Sequence, residues 1–200
     1  MTPRVRITLA AIVVSTLAVV AYYHIFLNDF AWDDGYLVLD NPSIRDLAGV
    51  PGLFVQRWAQ GVEFGLGQAQ NSAYFRPVAL ASMAVDWAIA GGPNPVVFHA
   101  TNLVIHLLAA VFVLLWVRRI LEADGRSRDS GGDRTGTLWA GGIALLWVLQ
   151  PAHTEAVAIV SYRTTLLSGA ATFAVLLAFT GRVRPWRTVL AMVAFAVGLL

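Results

Sequence analysis

The sequence predicts an all-α protein, a polytopic bundle of membrane-spanning helices, and three observations lead to that reading. Hydrophobic residues make up 58% of the chain and charged residues only 13%, with a mean hydropathy of +0.66, whereas soluble domains carry about 25% charged residues. Several apolar runs approach the roughly 20 residues that a bilayer crossing requires. All 14 basic residues are arginines, and they gather in short clusters beside those runs, where they orient helices. The pI of 9.4 therefore does not point to nucleic acid as a partner. The chain has no cysteine, which excludes disulfides, thiol chemistry and cysteine metal sites.

Residues 7–27 form the first span, preceded by Arg4 and Arg6 and followed by Asn28 and Asp29. Tyr22, Tyr23 and Phe26 carry the apolar run past any signal-peptide cleavage point, so it reads as an uncleaved anchor. Residues 98–117 form a second span ending at Arg118-Arg119, and residues 119–137 read as a cytoplasmic loop, flexible over 124–136. Residues 138–152 and 164–181 are two further apolar segments, separated by His153, Glu155 and Arg163. Residues 188–200 begin another but stop short of a crossing. The expectation is about four complete spans in one membrane domain, residues 1–200, forming the front part of a larger protein.

The run 77–90 is apolar but short, about 21 Å as a helix against a hydrocarbon core of about 30 Å, and is not expected to span. Parity agrees. With it non-spanning, ten arginines lie inside (4, 6, 118, 119, 126, 128, 134, 182, 184, 187) and four outside (45, 57, 76, 163), as the positive-inside bias prefers. Eight of the twelve acids, Asp33 and Asp34 among them, then lie outside.

Residues 28–97 thus form a long extracytoplasmic loop, too apolar for a solvated linker, and are expected to lie on the membrane as short surface helices. Pro51 is placed to open one carrying Leu53, Phe54, Trp58 and Val62. Ser82 and Asp86 share one face of the next short helix, a turn apart.

Five sets of residues can carry chemistry. Asp33-Asp34, after Trp32, is either a solvated helix end or a reaction centre in which one carboxylate takes a proton and the other orients the acceptor or holds a metal. Asp40-Asn41-Pro42 marks a turn. Tyr74-Phe75-Arg76-Pro77 opens the short helix, and Arg76 either snorkels or meets a phosphate. His99, Asn102 and His106 share a helical face at i, i+3, i+7 spacing, where interhelical packing is the simpler role. His99 lies nearest the extracytoplasmic surface. Gln150-Pro151-Ala152-His153-Thr154-Glu155-Ala156 breaks a helix and brings an imidazole and a carboxylate to the side of Asp33; zinc-deaminase chemistry is excluded for want of cysteines. Arg163 follows, so that Arg76 and Arg163 face the same acidic region and suit an anionic lipid headgroup.

Read in order, Phe30-Ala31-Trp32-Asp33-Asp34, Asp40-Asn41-Pro42, Tyr74-Phe75-Arg76-Pro77, Phe98-His99-x-x-Asn102-x-x-x-His106 and Pro151-x-His153-Thr154-Glu155-Ala156-Val157 resemble the motif series of the transmembrane and tetratricopeptide-repeat family. That family is similar to the protein O-mannosyltransferases of the GT-C class of glycosyltransferases. The resemblance implies a membrane enzyme, GT-C-like in its N-terminal part, that moves a mannose-like sugar from a polyprenyl phosphate to a protein hydroxyl. Asp33 would be the base, and Asp34 would hold the acceptor or a divalent metal, the one cofactor left open. Arg76 and Arg163 would stabilise the departing lipid phosphate. His153 and Glu155 would line the pocket, with His99 and Tyr74 as further substrate-binding candidates. The expected setting is a bacterial inner membrane, N-terminus inside, active site outside. Gln150 and Thr165 stand where the family pattern usually has His and Asp. A non-catalytic membrane anchor or assembly module is the alternative. A transporter fragment lacks its mark, paired broken helices at the midplane.

Overall fold

The computed structural model describes residues 1–55, 75–123, 130–180 and 185–199. Six helices organise them: α1 (Pro3–Tyr22), α2 (Pro77–Ala90), α3 (Pro95–Ala123), α4 (Ser130–Val148), α5 (Arg163–Phe179) and α6 (Pro185–Leu199). No strand occurs among the described residues. The architecture is the expected all-α membrane bundle.

Side-chain bonds set the helix directions. Tyr22 Oη at the end of α1 donates to Val148 O at the end of α4 (3.2 Å), while Arg6 and Arg134, near the starts of the same two helices, line one cleft. These helices therefore run parallel. The α3 helix opposes them and runs beside α5, joined to it by Arg163 Nε and Asn102 Oδ1 at one end and by Arg119 Nη1 and Leu177 O at the other. The α6 helix returns, with Gly198 against Ser168 and Ala171 of α5. Arg6, Arg118, Arg119, Arg134 and Arg187 consequently share one end of the bundle. Arg119 and Arg187 both donate to Leu177 O in the last turn of α5, where a cation is also favoured by the helix dipole.

Among the described residues, three helices are long and apolar enough to cross a membrane: Pro3–Leu27, where a helical turn extends α1, then Pro95–Ala123 and Val160–Phe179. The segment 138–152, expected as a fourth span, is not among these three, and its helix is displaced toward the N-terminus. Its helix already starts at Ser130 and stops at Val148, because Pro151 cannot supply the amide that would continue it. Within the cytoplasmic loop expected over 119–137, α3 runs to Ala123 and α4 begins at Ser130, so helix also occupies part of the stretch 124–136 expected as flexible. The 14-residue α2 does not reach spanning length. Gly91, at φ +69°, turns the chain after it, and Gly92 N donates to Trp87 O.

The described part of the first loop has a packed inner side. Leu37, Val38, Ile44 and Leu53 fold onto Ala79, Leu80 and Met83 of α2 and onto Phe98 of α3, forming a core of their own. A protein partner was available for those side chains, so lipid is not what covers them. Pro51 sits in a single helical turn, Val50–Leu53; Phe54 lies just beyond it, and Trp58 and Val62 fall outside the described residues. Asn41 caps the turn that Pro42 opens, as the Asn-Pro step predicts.

Candidate functional site

One face of α3 organises the end of the bundle opposite the arginine cluster. His99, Asn102 and His106 are all buried, and each meets backbone at a helix end or in the connection beyond one. His99 packs beside the Asn28–Asp29 backbone and Asp34. Asn102 Nδ2 donates to Val157 O (3.3 Å) and Ile159 O (3.2 Å). His106 Nε2 lies 3.0 Å from Val148 O, which makes that nitrogen the protonated one, since a carbonyl can only accept. Val148 O would have bonded the amide of Ala152 had the helix continued. Tyr22 and His106 replace that amide, satisfying backbone that a membrane interior cannot leave unpaired. Asn102 and His106 are therefore packing residues, as their spacing suggested.

The acidic doublet is divided. Asp34 is fully buried, and its carboxylate accepts from Ser161 N (2.7 Å), Val160 N (3.1 Å) and Ala31 N (3.2 Å). Asp33, one residue earlier, is exposed. Trp32 effects the division: its φ of +54° is a left-handed conformation that costs a bulky L-residue roughly 1–2 kcal/mol. Phe30 stacks edge-on against Phe98 (5.5 Å), Asp34 turns inward, and Trp32 is thrown out at 84% exposure. Asp34 is thereby corrected from acceptor or metal ligand to an anchor for residues 160 and 161. Among the described residues, no group of three or more His, Asp or Glu gathers as a metal-ligand set.

Arg163 is corrected as well. It is 0% exposed, and its guanidinium spends its donors inside the protein: on Asp86 Oδ2 (2.6 Å), Asn102 Oδ1 (2.8 Å), Phe98 O (3.0 Å) and Ser82 Oγ (3.1 Å). Thr101 Oγ1 donates to the other oxygen of Asp86 (2.6 Å). The shared face of Ser82 and Asp86, legible in the sequence, is the receptor for this arginine. Arg163 thus ties α2 and α3 to the start of α5 and does not face the cavity beside it.

Arg76 does face it. At the start of α2, its Nη1 donates to Thr164 Oγ1 (2.5 Å), and it lines a cavity of about 310 Å³ with Thr164, Thr165, Ser168, Val197 and Leu199. A second cavity of about 300 Å³ shares Ser168, Gly198 and Leu199 with the first and continues between α5 and α6 along Ala171, Val175, Leu176 and Phe195. The result is one groove with a guanidinium and hydroxyls at its head and an apolar track behind. The anchored doublet and Arg76 meet at residues 160–164, where Asp34 holds two amides and Arg76 bonds Thr164.

His153 and Glu155 are placed differently. The His153 ring stacks with Trp147 (4.6 Å) and His106 (5.2 Å), on the side of α4, while Glu155 is exposed at the start of the short helix Thr154–Ala158. Tyr74 lies outside the described residues. Burial pushes the His153 pKa below its ordinary 6.5, with the backbone of Trp147 opposing the shift in part. The folded state therefore prefers neutral imidazole. That preference costs nothing above about pH 6.5, and stability is lost as pH falls from there through the folded pKa. A thermal-midpoint series against pH should show this acid limb in the wild type and a flatter one in His153→Phe; equal slopes would remove His153 from the argument.

This end of the bundle, with its polar residues folded under short helices, defines an all-α membrane protein with a headed apolar groove. The chain is 28% identical over 165 residues to protein O-mannosyl-transferase TMTC4 of Homo sapiens, which covers 79% of this chain and 21% of that protein. It is 31% identical over 157 residues to protein O-mannosyl-transferase Tmtc1 of Drosophila melanogaster, covering 77% and 16%. The chain is thus a relative of the transmembrane and tetratricopeptide-repeat protein O-mannosyl-transferases, as its motif series suggested, and spans about a fifth or less of these relatives' length. No family model and no solved structure matches it.

Proposed function

We propose that this domain belongs to a GT-C-type glycosyltransferase that moves a mannose-like sugar from a polyprenyl phosphate to a protein hydroxyl on the extracytoplasmic side, with the N-terminus inside. The observation that carries the reading is the groove. A phosphate at its head meets Arg76 and the hydroxyls of Thr164, Thr165 and Ser168, while a prenyl chain fits the apolar track between α5 and α6. In the transfer, the acceptor oxygen bonds to the sugar's anomeric carbon and its proton passes to Asp33. The bond from that carbon to the phosphate oxygen breaks, and the lipid phosphate leaves with one more negative charge. Arg76 stabilises that charge where it collects. Asp34 and Arg163 act behind this, holding residues 160–164 in place, and His99 supports Asp34 from α3.

Binding of polyprenyl phosphate to the full-length protein tests the groove. Arg76→Gln should weaken it roughly 10–100-fold, the scale of one charged hydrogen bond, with the thermal midpoint kept. Unchanged binding would remove Arg76 from the site. A second reading, a membrane module without transfer activity, is favoured by Thr165 standing where the family pattern carries an acid. Failure of the wild type to transfer from any of several polyprenyl-phosphate sugars would select it.

A further inference from the structure

At the arginine-rich end, a cleft of about 610 Å³ opens between α1 and α4 and shares no lining residue with the groove. Each wall is a single helical stripe. Arg6, Leu9 and Val13 line one side, and Arg134, Leu138, Gly141 and Leu145 the other, at the i, i+3, i+4, i+7 spacings that share a face. Because α1 and α4 are parallel, both arginines sit at the same end, with Thr137 beside them and apolar wall beyond. Gly141 and Gly142 need explaining. Glycine is the poorest interior helix residue after proline, yet neither has a backbone that demands it. A Cβ on Gly141 would make only ordinary contact with Ala10 Cβ (3.8 Å), and one on Gly142 would meet nothing within 4 Å. What the missing side chains preserve is the open volume of the cleft.

We infer that this cleft is a binding site for an anionic phospholipid, its phosphate between Arg6 and Arg134 and an acyl chain along the stripe that the glycines keep clear. Charge complementarity selects the occupant. Two guanidiniums at the mouth of an apolar slot match a lipid with an anionic head, and basic pockets between membrane helices take such headgroups. The site is independent of the transfer reaction.

Delipidated full chain in detergent, titrated with phosphatidylglycerol or phosphatidylcholine, tests it through the thermal midpoint and through retained lipid counted by native mass spectrometry. Phosphatidylglycerol should stabilise the wild type at about 30-fold lower concentration than phosphatidylcholine, the scale two arginines supply at a membrane surface. Arg6→Gln with Arg134→Gln should erase the preference, and Arg4→Gln, outside the cleft, should keep it. Gly142→Leu should fill the slot and lose the retained phosphatidylglycerol, with Gly142→Ala as the variant that folds and still binds. Equal response to the two lipids, a preference surviving the double substitution, or phosphatidylglycerol retained by Gly142→Leu would each overturn the site. So would a wild-type dimer that Gly142→Leu dissociates, which would assign the cleft to a second copy of the chain.

Discussion

Asp86→Ala is expected to cost the fold about 3–5 kcal/mol, the penalty for leaving a buried charge without its partner. Arg163 has no route to solvent from its position, and the carboxylate it loses lies at 2.6 Å. Ser82, Asn102 and the Phe98 carbonyl remain, but they offer dipoles against a full charge. Arg163→Ala should cost a similar amount by stranding Asp86, whose remaining bond comes from Thr101. Asp86→Asn keeps an oxygen acceptor and should fall between these and the wild type. The informative variant is the double one. Asp86→Leu with Arg163→Met removes both charges and should recover much of the loss, since a buried ion pair is often replaceable by apolar residues of similar volume. A double-mutant cycle on thermal midpoints in detergent reads the coupling. If Asp86→Ala melts with the wild type, the pair does not hold α2 to α5. If the double variant is no better than the singles, the hydrogen bonds of Arg163 to Asn102 and Phe98 O matter more than its charge.

The outline of this fold was legible because a bilayer allows few solutions. Apolar run length located α1, α3 and α5, Pro77 and Pro151 marked a start and a stop, and 14 residues were too few for α2 to span. The polar face of α3 was legible for the same reason, since buried polar groups on a spanning helix must turn to the bundle. What could not be read were choices made by contacts distant in sequence. Arg163 looked like a free cation because its partner is on another helix, although the Ser82 and Asp86 face was a visible sign that something polar must dock there. Which side chains of the loop over 28–55 turn inward could not be read, because its composition suits either lipid or protein, and the position of Met83 and Phe98 decides. The two acids of the doublet were indistinguishable by type, and the backbone at Trp32 separates them.

That separation gives the second large effect, and the two substitutions should fail in different assays. Under the proposed function Asp33 is the proton acceptor, and Asp33→Asn removes it from an exposed side chain. It should lower sugar transfer by about 10²–10⁴-fold while moving stability by no more than about 0.5 kcal/mol, the usual range for a surface change. Asp34→Asn replaces a carboxylate oxygen that accepts from an amide with an NH₂ group that cannot accept. Three main-chain N–H groups converge on Asp34, so at least one is left facing a donor, and each charged bond lost costs about 1.5–3 kcal/mol. Its thermal midpoint should drop, and transfer should fall only as far as residues 160–164 shift. Rotating the new side-chain amide cannot rescue this variant, because both terminal positions already have donors in front of them. Were Asp34→Asn to melt normally yet lose transfer while Asp33→Asn kept it, the roles would be exchanged, and the three amides would be tuning a buried base. The present geometry argues against that exchange: a fully buried carboxylate that already accepts three N–H bonds is poorly placed to take a proton, whereas Asp33 beside it is exposed.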